Sequence, residues 1–132
     1  MTSTFEGCTQ LTTALTIPSS VTDMRFTFYG CTSLAAPPDM SSANSVTNMS
    51  NAFGNCTSLT GTIEVNANPT SYGNCFRNTT KEIYLTGSST KLSDLASTAN
   101  NGNVTVQGQS GQPDDIVIVI GDDNEGDGGS LF

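Results

Sequence analysis

Phe28-Tyr29-Gly30-Cys31-Thr32-Ser33-Leu34 is the stretch that decides the fold, because the chain writes it more than once. It appears earlier as Phe5-Glu-Gly-Cys8-Thr-Gln-Leu11 and later as Phe53-Gly-Asn-Cys56-Thr-Ser-Leu59. Tyr72-Gly-Asn-Cys75 reads as a worn fourth copy, so the cysteines are spaced by 23, 25 and 19 residues. A recurrence of this length marks stacked units, each leaning on its neighbour. Stacked units build surfaces for contact more readily than pockets for chemistry.

Each copy has the same inner pattern. Val21, Met24, Phe28 and Cys31 are spaced 3, 4 and 3, and Val46, Met49, Phe53 and Cys56 repeat that spacing. Such spacing predicts one apolar face of a short helix or helical turn. Leu11, Leu34 and Leu59 stand three past their cysteines; then come Leu15 and Ile17, Pro38 and Met40, and Ile63 and Val65. There the apolar period falls to two, which predicts a short strand. In the fourth unit Ile83 and Leu85 fill these places one residue late. That unit reads as short, with a loop at Asn66-Ala-Asn-Pro69-Thr70 in place of the helical face.

Past the repeats, Leu92, Leu95 and Ala96 predict a short amphipathic helix, opened by Ser89 or Thr90 and closed by Asn101-Gly102. Val104-Thr-Val106 predicts a last strand. Residues 86–107 are therefore expected to cap the C-terminal end. The N-terminal end has no such cap, since Phe5 opens directly into a repeat; either Met1 begins a piece of a longer chain, or another molecule covers that apolar end.

The pattern F-x-x-C-T-S-L, then strand residues, then S-V-T-x-M before the next aromatic, resembles the BspA-type leucine-rich repeats. Phe28-Tyr-Gly-Cys31-Thr-Ser-Leu34 and Ser45-Val-Thr-Asn-Met-Ser50 carry the likeness, which covers residues 5–85. The resemblance implies a leucine-rich-repeat solenoid of α/β type. Its sheet would be short and parallel with one strand per turn, and helical turns or loops would form the other side. It also implies a role in recognition. Members of that family are mostly bacterial or protist surface proteins that bind host proteins or other cells, and similar repeats occur in bacteriophage virion proteins.

Charge narrows the function classes. Only 12% of the 132 residues are charged, and the formal net charge is −8. Residues 1–110 hold six acids and four bases, whereas residues 111–132 hold six acids and no base. Nucleic-acid binding needs a basic stripe to neutralise phosphates, and this chain has none. No apolar run approaches the roughly 20 residues that span a bilayer, so membrane insertion is not expected. The opening Met-Thr-Ser-Thr-Phe-Glu lacks the basic and apolar regions of a signal peptide. The localisation read from this is a virion or the cytoplasm, or a cell surface if the chain is cut from a longer parent.

Candidate chemistry is sparse. Cys8, Cys31, Cys56 and Cys75 could in principle ligate zinc, but zinc sites use close pairs and every gap here is 19 or more. They read as a ladder of buried free thiols. The aromatic ladder Phe5, Phe28, Phe53 and Tyr72 reads as core packing in register with them. Phe26 and Tyr29 lie off that register and are candidates for contact with a partner. Histidine, the commonest general base, is absent from the sequence, and no nucleophile elbow, P-loop or dinucleotide fingerprint occurs. No enzyme, no cofactor and no metal site is expected. Four N-x-S/T sequons, at Asn48, Asn55, Asn78 and Asn103, are unremarkable in a chain so rich in Asn and Thr.

The chain thus divides into a repeat body, 1–107, and a second region, 108–132. The second region is a Gly/Gln/Ser linker, an apolar run, and an acidic tail whose Asp123-x-Glu125-x-Asp127-Gly128 matches half of a calcium loop. Ile116, Val117, Ile118, Val119 and Ile120 make the apolar run, and Leu131 and Phe132 end the tail. An unpaired β-branched run of this kind is built to add to a sheet edge. The partner expected is protein, either self or a co-assembling chain. It would be held through the uncapped N-terminal end and residues 114–132, in a structural or display subunit of an assembly such as a bacteriophage virion. The competing reading is an adhesin-type module that recognises a host protein or glycan.

Overall fold

The computed structural model describes residues 1–12 and 15–107. The linker, the apolar run Ile116–Ile120, Leu131, Phe132 and the half calcium loop lie outside the described residues.

Successive segments lie one upon another, 22 to 25 residues apart in sequence. Four of these layers are built around Phe5, Phe28, Phe53 and Phe76. The rings stack nearly parallel in a single column, with centroids 5.6, 5.5 and 5.2 Å apart and interplanar angles of 8°, 10° and 5°. The core runs beside this column. Met24, Met49, Leu34, Leu59, Met40, Ile17, Ile63 and Leu85 are all within 1% of complete burial.

The backbone beneath the rings is not helical. In each layer three overlapping turns follow one another, closed by N–H to C=O bonds between residues i+3 and i. In the second layer these are Thr27 to Met24, Tyr29 to Phe26 and Cys31 to Phe28, and the third repeats them from Ala52, Gly54 and Cys56. The device works because two residues per layer, four apart, take the left-handed conformation: Ser3 and Gly7, Phe26 and Gly30, Asn51 and Asn55, Asn74 and Asn78. Glycine and asparagine reach that region with the least strain. The 3-4-3 apolar spacing therefore comes from tandem turns, not from the helical face it predicts. The one α-helix among the described residues, α1, is Leu92–Ala96.

Three strands form a parallel sheet: β1 Gly61–Glu64, β2 Ile83–Thr86 and β3 Val104–Val106, in that order. One strand per turn was expected, but the first two layers hold only a bridge there, Thr16 to Asp39. Prolines explain where the sheet stops. Pro37 and Pro38 have no N–H to give to β1, and the Pro37 ring packs over Gly61, where an added methyl would meet it at 3.4 Å. Gly87, just past β2, has φ +114°, and any side chain there would collide with the Val65 carbonyl oxygen.

The fourth layer departs from the sequence reading. Tyr72 is not its stacking ring; Phe76 is, 23 residues past Phe53. Tyr72 falls in the column of Met24 and Met49, because the Met49 N–H bonds Ser71 O just as the Met24 N–H bonds Asn48 O. Cys75 occupies the column of Ala52, and the column of Cys56 is taken by Thr79, fully buried. Nor is the unit short, since Pro69 is buried where Val46 would be. In the sheet Ile63 pairs with Leu85 and Gly61 with Ile83, so Ile83 and Leu85 stand two places from the equivalence that spacing suggested.

Candidate functional site

The turn segments are joined by a ladder with one polarity. Ser3, Phe5 and Gly7 donate their N–H groups to the carbonyls of Arg25, Thr27 and Tyr29 at 2.8, 2.9 and 2.7 Å. Met24, Phe26, Phe28 and Gly30 donate to Asn48, Ser50, Ala52 and Gly54, and Met49, Asn51, Phe53 and Asn55 donate to Ser71, Gly73, Cys75 and Arg77. Alternate residues spend their N–H within the layer, on the i+3 to i bonds. Each turn segment therefore shows donors only on its C-terminal side and acceptors only on its N-terminal side. An ordinary β-strand differs, because each of its edges carries both.

The two ends finish this ladder differently. In the fourth layer the Phe76 and Asn78 N–H groups meet side chains instead of backbone: Thr98 Oγ1 and Asn100 Oδ1, each at 2.9 Å. The Thr98 hydroxyl itself donates to Leu95 O at 2.7 Å. Residues 91–107 thus take up two of the four donors on that side; the Tyr72 and Asn74 N–H groups have no acceptor among the described residues. At the other end, among the described residues, no group donates to the carbonyls of Thr2, Thr4 and Glu6, and all three residues are exposed. Beside them Phe5 is only half-buried, with one ring face on Phe28. Leu11 and Cys8 in the same layer are also half-buried, whereas Leu34, Leu59, Cys31 and Cys56 are buried.

Phe26 and Tyr29 form a second surface. Their rings meet edge to face at 5.2 Å and are half-buried. Phe26 holds φ +56°, a region that aromatic residues rarely occupy, where the other layers carry Ser3, Asn51 and Asn74. Tyr29 lies across Gly54, where a Cβ would come within 2.8 Å of its ring. The fork of Arg25 onto the Asp23 carboxylate, at 2.8 Å, stands beside this pair and holds that carboxyl below its ordinary range.

The cysteines are free. Cys31 and Cys56 each direct Sγ to the carbonyl of the preceding layer's phenylalanine, Phe5 and Phe28, at 3.0 Å. Burial pushes the Cys56 thiol up to about 12, and it raises Cys31 and, further, Cys75. Neutral thiols buried in this way are poor nucleophiles and poor ligands. Among the described residues no group of three or more Cys, Asp or Glu side chains could hold a metal ion, and no helix is long and apolar enough to cross a membrane. Tyr72 instead reaches the C-terminal layer: its hydroxyl donates to Asp94 at 3.3 Å, and the Lys91 ammonium lies 5.8 Å from its ring centre.

Sequence reasoning singled out Phe26 and Tyr29 and the N-terminal end. It missed the acceptor row itself and the capping roles of Thr98 and Asn100. No protein-family model, no curated protein and no solved structure matches the chain.

Proposed function

We propose that the chain is a non-enzymatic protein-interaction module of leucine-rich-repeat solenoid type, akin to the BspA-type repeats. In this reading it serves as a structural or display subunit of a larger assembly such as a bacteriophage virion. The observation that carries the proposal is the contrast of its ends. The C-terminal layer covers the fourth layer and takes up its Phe76 and Asn78 donors, while the N-terminal layer leaves three carbonyls and a half-exposed phenylalanine outward. Exposed backbone edges beside apolar side chains are where polypeptides add to one another. The apolar run 116–120 supplies a second adhesive element. Multi-angle light scattering of the full chain against a form ending at residue 110 tests this. Self-association that weakens on truncation supports it; two clean monomers, with no co-assembling partner recovered, contradict it.

The Phe26–Tyr29 pair favours a second reading, an adhesin-type module that recognises a host protein or glycan. An aromatic pair held in a strained backbone beside Ser, Thr and Asn side chains offers stacking and neutral hydrogen bonding together. Array binding by the monomer that disappears in the Phe26→Ser/Tyr29→Ser double variant supports that reading. Binding unchanged in the variant removes it.

A further inference from the structure

We infer that the N-terminal face of the first layer docks a tandem-turn layer of another polypeptide, donor side inward, and not a second copy of itself. The inference rests on the assembly reading above and gives it a direction. It follows from polarity. Every interlayer bond donated by residues 3–7, 24–30 and 49–55 runs to the carbonyls of the next layer, at 2.7 to 3.1 Å; just ahead of the turns the direction reverses, where Thr47 donates to Thr22 and both Thr70 and Ser71 donate to Thr47. Continued one layer upstream, the same geometry assigns three donors to Thr2 O, Thr4 O and Glu6 O. These correspond to Arg25 O, Thr27 O and Tyr29 O one layer on.

Two copies meeting by their N-terminal faces would set carbonyl against carbonyl, with no donor on either side. Two copies meeting head to tail would need the fourth layer's donor row laid open, and there the layer holding α1 already covers it, with Thr98 and Asn100 accepting from Phe76 and Asn78. Neither arrangement completes the ladder. An ordinary β-strand edge would complete it only in part, because each alternate group it presents is another carbonyl. A tandem-turn segment presents donors alone. Its second requirement is an apolar ring over Phe5, at the 5.2 to 5.6 Å that separates the rings below. Its third is a carbonyl on that central aromatic residue open to the Cys8 thiol, because one layer on Cys31 directs its thiol back to Phe5 O, and Cys56 directs its own back to Phe28 O. The occupant is therefore a segment with alternate free N–H groups and a central aromatic residue whose carbonyl is free to accept from Cys8.

The chain's own second layer meets this description, so it provides the probe. A capped peptide of residues 21–34 is titrated at millimolar concentration into the isotope-labelled full chain and followed by amide shifts. A matched peptide carries an N-methyl group on the Phe28 nitrogen, which removes the central donor and leaves the side chains alone. The expected result is shifts confined to residues 2–11, with at least roughly tenfold weaker binding by the methylated peptide, the worth of about one well-made hydrogen bond. A peptide pays heavily for ordering, so a second arm removes that cost: a chain carrying an extra copy of residues 24–48 ahead of Met1. Its added Phe26, Phe28 and Gly30 amides are expected to become protected from exchange. Equal binding by both peptides, shifts away from the first layer, or unprotected amides in the extended chain would overturn the inference. So would a dimer of the native chain broken by Phe5→Asp. Self-association through residues 114–132 alone leaves the assembly reading standing without touching this one.

Discussion

The first and last layers bury the same kind of apolar column yet finish it in opposite ways. At the C-terminal end a five-residue helix brings Thr98 and Asn100 under the Phe76 and Asn78 donors, and Asn101 and Asn103 donate to the carbonyls of Thr79 and Lys81. At the N-terminal end Phe5, Cys8 and Leu11 keep one side half-exposed, and the acceptor row has no described donor. The difference teaches that closing such a stack is a hydrogen-bonding problem as much as an apolar one. Side chains that mimic backbone are what separate a finished end from an adhesive one.

The sharpest way to break the comparison is to remove a ring from the middle and a ring from the end. Phe53→Ala deletes a side chain sandwiched between two others and fully buried, and should cost about 3–5 kcal/mol in chemical denaturation. Phe5→Ala, with one face free, should cost roughly a third of that. Equal losses would mean that Phe5 is as enclosed as Phe53. Alkaline titration comes next. The thiols of Cys31, Cys56 and Cys75 are raised from 9.0 by burial, so each contributes stability fully present below the unfolded thiol value and lost as pH rises toward its folded value. Stability should hold to about pH 8 and then fall by on the order of 1.4 kcal/mol per pH unit for each buried thiol. A flat profile to pH 11 would show that these thiols are not buried.

A smaller effect sharpens the account of the closed end. Thr98→Val keeps the shape but removes the acceptor for the Phe76 N–H, and should cost about 1–3 kcal/mol. Thr4→Val, at the open end, should cost nearly nothing, since that residue is exposed. The smallest effect is one of rate. Under native conditions Cys8, half-buried, should react with a thiol reagent well before Cys31, Cys56 and Cys75, and all four should titrate after denaturation without reductant.

Much of this was legible in the sequence. Phe5, Phe28 and Phe53 announce their column by recurrence, and Cys31 and Cys56 sit in it three residues on. The fourth layer was misread because Cys75 drew the eye to Tyr72. A better signal was present. Asn51-Ala-Phe53-Gly-Asn55 returns as Asn74-Cys-Phe76-Arg-Asn78, two left-handed residues four apart with the ring between them. Reading asparagine and glycine as backbone instructions, not as generic turn formers, would have placed Phe76 in the stack and Thr79 in the cysteine column. The same signal argued against a helix, since a helix has no place for two left-handed residues four apart. The capping roles of Thr98 and Asn100 had no sequence signature, because they depend on which backbone N–H groups the fourth layer leaves over.

The measurement that tests the layered stack most directly is the pattern of aromatic proton contacts in solution. The structure predicts an unbroken chain of contacts from Phe5 to Phe28 to Phe53 to Phe76, with the Tyr72 ring touching Lys91 instead. Contacts between Phe53 and Tyr72, or an isolated Phe28, would contradict it.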